Sequence, residues 1–239
     1  MKETEMTTSA EPVRPGPLAA RAVPPVPRLL RLPGVYRPQE DTALLAAAID
    51  DLTIPAGARA LDLCTGTGAQ ALTLARRGAR TVLAVDLSRR ALVSARLNAF
   101  ARRLAVRPCR GGLARALGEG PFDVVVANPP YVPSPAPTVR SSRGWDAGPD
   151  GRAVLDPLCS AAGTLLRAGG TLLLVQSTMS DVDRSRELLA AQGLRTSVAR
   201  SARIPFGPVL SGRTAFLESA GLIEPGQRME ELVVLRADR

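Results

Sequence analysis

The stretch from Arg59 to Arg102 constrains the fold most tightly. RALDLC (59–64) is a short apolar run, a glycine-bearing turn follows, and residues 69–77 have the composition of a helix closed by Gly78. TVLAVD (81–86) is a second apolar run ending in an acid, after which Ser88 can cap a helix reaching about Arg102. Short apolar runs alternating with helices predict βαβ units and a parallel sheet, whose strands are covered on both faces. PFDVVVAN (121–128) fits a central strand of such a sheet, because Val124 to Ala127 is apolar without alternation.

The remaining pattern extends this layout. A helix over 43–50, capped by Asp41 or Thr42, precedes the first strand, and a weaker strand covers 104–110. A helix over 152–167, a strand over 171–177 and a helix from Asp181 or Asp183 to about Gln192-Gly193 come next. LRTSVARS (194–201) and EELVVLRA (230–237) read as a closing antiparallel pair. The expected architecture is α/β and Rossmann-like: a seven-stranded, mostly parallel sheet with helices on both faces and a C-terminal antiparallel pair. A chain of 239 residues suits one such domain, expected over 31–239, while the proline-rich first 30 residues are expected to be a disordered extension.

Composition removes several chemistries. The chain has no histidine, which excludes Ser-His-Asp and Cys-His catalysis and the commonest general base. Cys64, Cys109 and Cys159 share no CxxC spacing, so neither a disulfide framework nor a metal site is expected, and a reducing cytoplasm fits. No apolar run has the length of a membrane span, and the N-terminus lacks the apolar region of a signal peptide. A net charge of +9 favours acidic partners such as RNA, or reflects arginines scattered by coding bias. Only seven residues are aromatic, too few for a broad stacking platform for nucleic acid.

In a doubly wound sheet the ligand lies at the carboxyl ends of the strands, where strand order reverses. Two strand ends carry the signal. In LDLCTGTGAQ, Gly66 and Gly68 permit a tight turn and close backbone approach, and Asp86 lies twenty residues after Gly66, where it can accept from both hydroxyls of a ribose. That pattern alone admits a nicotinamide cofactor. Asp62, within the strand, suits the ammonium group that S-adenosylmethionine carries and NAD lacks. The second signal is Asn128-Pro129-Pro130-Tyr131. Two prolines remove backbone donors and leave carbonyls as acceptors, so the Asn128 side-chain oxygen and the Pro129 carbonyl can hold both N–H groups of a planar amide or arylamine. Tyr131 can stack on that group. Catalysis is then alignment plus stabilisation of charge developing on nitrogen, with no imidazole needed.

Taken together, VYRPQEDTALL, LDLCTGTGAQAL, VDLS, DVVVANPPYVP and GPDGRAVLD resemble the HemK-like methyltransferases, in the short, eukaryotic-type form of the release-factor glutamine methyltransferases. The resemblance covers about residues 33–239. It implies a class I fold, S-adenosylmethionine as donor, and N5-methylation of the glutamine in the Gly-Gly-Gln motif of a peptide-chain release factor, with a small activating partner subunit possible. It places Thr42, Asp62, Cys64, Gly66, Gly68, Asp86, Leu87, Gly112, Leu113 and Asn128 around the cofactor and Asn128, Pro129, Pro130 and Tyr131 around the acceptor. Two positions depart from the family pattern: Gly112 stands where an acidic residue usually reaches the adenine amino group, and Cys64 where glycine is common. Relatives of this short form are also linked to lysine methylation. Glu40 and Asp41 can attract a cationic substrate or simply cap the first helix, and Trp145 with Arg143 can form a lid or pack the loop down. An adenine-N6 nucleic-acid methyltransferase and a non-catalytic binding protein of the same fold remain alternatives.

Overall fold

The computed structural model describes residues 25, 28–135 and 144–239. The expectation for the N-terminal extension falls almost wholly outside them, as does Arg143. Residues 28–30 are held in place: the Asn98 side chain bonds both the N–H and the carbonyl of Leu30, and Arg102 donates to the Arg28 carbonyl.

Seven strands form one sheet in the order β3-β2-β1-β4-β5-β7-β6. β1 (Arg59–Leu63), β2 (Thr81–Asp86), β3 (Val106–Arg110), β4 (Phe122–Ala127) and β5 (Leu166–Ser177) run parallel. β7 (Met229–Asp238) is antiparallel to β5 and to the edge strand β6 (Arg195–Pro205), as the two C-terminal patterns predicted. Val125, Val126 and Ala127 of β4 are fully buried between helical layers. Each valine so covered contributes about 1.5–3 kcal/mol through burial. α1 (Glu40–Asp50) and α2 (Ala69–Arg76) pack together, α3 (Arg89–Ala101) lies over β2 and β3, and α5 (Leu155–Leu165) packs with α6 (Val182–Ala191). Among the described residues no helix is long and apolar enough to cross a membrane.

Several local expectations need correction. Gln39, not Asp41 or Thr42, is the N-cap of α1, in a reciprocal capping box with Thr42. A helix absent from the sequence reading, α4 (Leu113–Glu119), occupies the connection to β4; its Leu113, Ala116 and Leu117 have helical spacing, but seven residues are too few to establish a period. α5 is shorter than 152–167 because Leu166 turns extended and opens β5. β6 continues to Pro205, and the unread segment beyond it folds as α7 (Pro208–Ser211) and α8 (Thr214–Ser219). Leu210 and Leu217 from these turns join Met179 and Ile223 in a small apolar cluster separate from the main core. Ser88 caps α3 as read, and of the two candidates for the start of α6 Asp181 is the cap; each accepts from a backbone N–H three residues on.

The turn after β4 is fixed by the GPDG sequence that follows the long loop. Gly151 has φ +74° and approaches Tyr131 so closely that a Cβ there would lie 2.3 Å from the Tyr131 carbonyl oxygen. Ser180 donates to that same oxygen at 2.7 Å. Buried Arg152 bonds Asp156, Ser185 and the carbonyls of Ser180 and Asp181, which clamps the chain just after the glycine. Gly151→Ala therefore adds both left-handed strain and a clash with backbone, at a cost of roughly 2–4 kcal/mol. The expected result is a melting temperature lowered by several degrees, while Gly144→Ala, whose Cβ meets nothing within 4 Å, leaves it unchanged.

Candidate active site

The crevice between β1 and β4, where the strand order reverses, brings the two sequence signals together. On the β1 side, Gly66 (φ +54°) and Gly68 (φ +86°) adopt left-handed backbone. A Cβ at Gly66 would meet nothing, so the turn is open there, whereas one at Gly68 would lie 3.0 Å from Ala95 of α3. Asn98, fully buried on α3, donates to the Thr67 carbonyl and ties the turn to the segment that leads in. Sequence reasoning missed Asn98 because it reads as an ordinary helix residue. Cys64 also has positive φ, at +62°, which accounts for glycine being the expected residue there.

Asp62 braces this turn from within: one carboxylate oxygen accepts from the Thr65 hydroxyl at 2.5 Å and from the Ala71 N–H at 2.9 Å. Its other oxygen, Oδ1, is buried with no partner. Burial raises the Asp62 carboxyl to about 7 despite those hydrogen bonds, with Asp86 adding to the rise. Asp86 accepts from the Gly66 and Ser88 N–H groups at 2.9 and 2.8 Å, and burial raises it as well. Leu87 is 70% exposed beside it, an apolar surface open to solvent. Gly112 begins α4 as its N-cap, and a Cβ there would only touch Leu87 at 3.7 Å, so the acidic side chain expected at this position is absent rather than sterically excluded. Leu113 packs partly on the core. An open glycine turn, an orphaned carboxylate oxygen, an acid at the end of β2 and an exposed leucine fit the amino-acid, ribose and adenine parts of S-adenosylmethionine.

Thr42 lies deeper than expected, with its hydroxyl bonded to Asp41 and its carbonyl accepting from Gln70 of α2. The residue beside it organises the β4 side. Asp41 is 4% exposed; its Oδ2 accepts from Asn128 Nδ2 at 2.9 Å, the Tyr36 hydroxyl at 2.9 Å and the Tyr131 hydroxyl at 3.3 Å. Thr42 N–H donates to its Oδ1 at 2.5 Å. A carboxylate only accepts, so it must face the Asn128 NH₂ and leave Asn128 Oδ1 turned away as a free acceptor. Burial and Asp41 push both tyrosines above their ordinary value, so they stay protonated donors. This role of Asp41 was not read from the sequence, where a helix cap was the simpler account.

Asn128, Pro129, Pro130 and Tyr131 open onto a cavity of about 570 Å³ walled on its far side by Ile204–Leu210, Glu230 and Leu232. Tyr36, Tyr131, Trp145 and Phe206, four of the chain's seven aromatic residues, line it. Trp145 stands 6.5 Å from Tyr36 between ring centroids, so it is part of the cavity wall. Arg213, beyond α7, donates to the Pro133 carbonyl and the Asp146 carboxylate, locking the far wall to the turn after β4. Glu230 is 8% exposed, and burial with the nearby charges of Asp41 and Glu40 raises its carboxyl to about 7.

A carboxyl raised in the folded state stabilises fully below its unfolded value, here 4.5, and that contribution is lost as pH rises through about 7. Between about pH 5 and pH 8 the unfolding free energy of Glu230→Gln is expected to fall less than that of wild type, by roughly 1–3 kcal/mol. Identical pH dependence of the two unfolding free energies, each from denaturant titrations, would show that Glu230 is ionised throughout.

Comparison with known proteins agrees with this geometry. The methyltransferase small domain family matches residues 28–202. The release factor glutamine methyltransferase of Mycobacterium tuberculosis H37Rv is 32% identical, covering 82% of this chain and 70% of that protein. A 4-amino-L-phenylalanine/4-methylamino-L-phenylalanine methyltransferase of Streptomyces pristinaespiralis is 36% identical over 59% of this chain and 53% of its own length. The chain spans between 52% and 88% of the lengths of the first curated relatives. Among solved structures, the E. cuniculi Mtq2-Trm112 complex, which methylates the eRF1 termination factor, aligns with TM-score 0.59 and 25% identity over 86% of this chain and 99% of that one. The chain belongs to the methyltransferase small domain family and, within it, to the HemK-like release factor glutamine methyltransferases.

Proposed function

We propose that this methyltransferase acts on the side-chain amide of the glutamine in the Gly-Gly-Gln motif of a peptide-chain release factor, with S-adenosylmethionine as cofactor. The observation that carries the reading is the Asn128 amide pinned by Asp41, which leaves an oriented acceptor oxygen at the tip of β4. Asp62, Cys64, Gly66, Gly68 and Thr42 would shape the pocket for the amino-acid part, Asp86 would take the ribose, and Leu87, Gly112 and Leu113 would flank the adenine. The cofactor supplies an electrophilic methyl group on a sulfonium sulfur.

The protein's task is to make a poor nucleophile line up. Asn128 Oδ1 and the Pro129 carbonyl accept the two N–H groups of the acceptor amide, fixing its plane and offsetting positive charge as it develops on nitrogen. Tyr131 closes the wall beside them and excludes water. Adenine in nucleic acid presents a similar NH₂, but the buried Asp41 carboxylate in this cavity, joined by Glu230 as pH rises through about 7, disfavours a phosphate backbone nearby. The orphaned Asp62 oxygen and open glycine turn favour a working cofactor site over a purely structural fold.

Two further assignments follow. Release factors act in the cytoplasm, where free thiols such as Cys64, Cys109 and Cys159 persist. A small activating subunit is supported by the E. cuniculi neighbour, solved as a complex. The face it would cover is the exposed stripe of Val93, Leu97 and Phe100 on α3, spaced so that they share one side of the helix.

Labelled methyl from S-adenosylmethionine should appear on a purified release factor and disappear when its motif glutamine is replaced by alanine. Asn128→Ala should lower kcat/KM by about 10²–10³-fold, in line with removal of one oriented transition-state contact. Label that survives replacement of the glutamine, or an Asn128→Ala rate equal to wild type, would sink the assignment.

A further inference from the structure

The cavity holds charge that amide alignment does not use. Ser177 offsets only part of the upward push on the Glu230 carboxyl, and Glu230 Oε2 is buried with no hydrogen-bond partner among the described residues. Asp41 is buried in the same wall, while Glu40, in the first turn of α1, is exposed at the rim. Arg31 and Arg37 also line the cavity, but both are exposed, and Arg31 donates to the Val35 carbonyl. They stand at the rim, where solvent screens them. Among the described residues, no cation other than these two lines the cavity to set against the buried carboxyl groups of Asp41 and Glu230, and an unpaired buried carboxylate oxygen is costly until something donates to it. The aromatic walls of Tyr36 and Trp145 offer ring faces that favour a cation over a neutral group.

We propose that Glu230 is a specificity-determining residue for the acceptor, taking a cationic nitrogen, ammonium or guanidinium, that the acceptor carries close to the nitrogen it presents to Asn128. This rests on the cavity being the acceptor site and not on the acceptor being a release factor. The cation has two chemical sources: a lysine or arginine side chain flanking the target glutamine, or the ammonium group of a free amine or amino acid. An N–H from either completes Glu230 Oε2 and offsets the charge it shares with Asp41.

Trp145 is the chain's only tryptophan, so its fluorescence reports cavity binding in the full-length protein without requiring turnover. Two matched probe pairs serve: phenethylamine against 2-phenylethanol, and acetyl-Gly-Gly-Gln-Lys-amide against the same peptide with acetyl-lysine. The cationic member of at least one pair should bind wild type about tenfold or more tightly than its neutral counterpart, the usual scale of one charge-assisted contact. Glu230→Gln, nearly isosteric, should abolish that preference, and Glu230→Asp should retain part of it. Discrimination in the peptide pair alone assigns the cation to a protein side chain; discrimination in the amine pair alone assigns it to a small acceptor. Equal binding of charged and neutral members, a preference that survives Glu230→Gln, or no response to any probe overturns the proposal. An unlabelled release factor together with discrimination in the amine pair would sink the release-factor reading and leave this one standing.

Discussion

Asp41 places a carboxylate where water cannot reach it, and the active site is arranged around the donors that make this tolerable. Burying such a group unpaired costs several kcal/mol, so Tyr36 and Thr42 beside it in sequence and Asn128 and Tyr131 from the end of β4 are drawn onto it. Each donor is thereby immobilised. Tyr36 sets the segment entering α1, Tyr131 sets the turn leaving β4, and Asn128 has its amide orientation decided by its neighbour's inability to donate. A site without histidine gains its directional chemistry from this one acceptor.

The sheet supplies the frame. Reversal of strand order between β1 and β4 opens a crevice at their carboxyl ends, with the glycine turn on one side and Asn128 on the other. Both turns are held partly from afar: Asn98 joins the local brace of Asp62 on the glycine turn, and Ser180 and Arg213, with the close approach of the Gly151 backbone, brace the stretch that follows Asn128. Left-handed backbone at Cys64 carries strain, while Gly66 and Gly68 adopt it freely, where close approach of a ligand is required.

Much of the fold was legible because its signals are local. The apolar run of β4, the glycine turn and the caps of α3 and α6 each depend on a few adjacent residues, and the strands they bound fell within a few positions of expectation. α4, α7 and α8 were not legible, being helices of seven, four and six residues whose stability comes from packing. The site divided along the same line. Asn128, Asp86 and the glycines announce themselves by spacing, whereas Asp41, Asn98 and Glu230 matter through partners tens to hundreds of positions away, which one-dimensional periodicity does not encode. The far wall of the cavity from Phe206 onward belongs to a segment without any strong pattern.

The account turns on Asp41 fixing the Asn128 amide, and Asp41→Asn tests this directly through single-turnover methyl transfer alongside cofactor affinity. An asparagine there can offer an NH₂ of its own, which frees the Asn128 amide to turn its donor toward the acceptor. The account predicts a methyl-transfer rate lowered about 10²-fold with S-adenosylmethionine affinity unchanged. A rate equal to wild type would contradict it, as would a loss explained entirely by weaker cofactor binding.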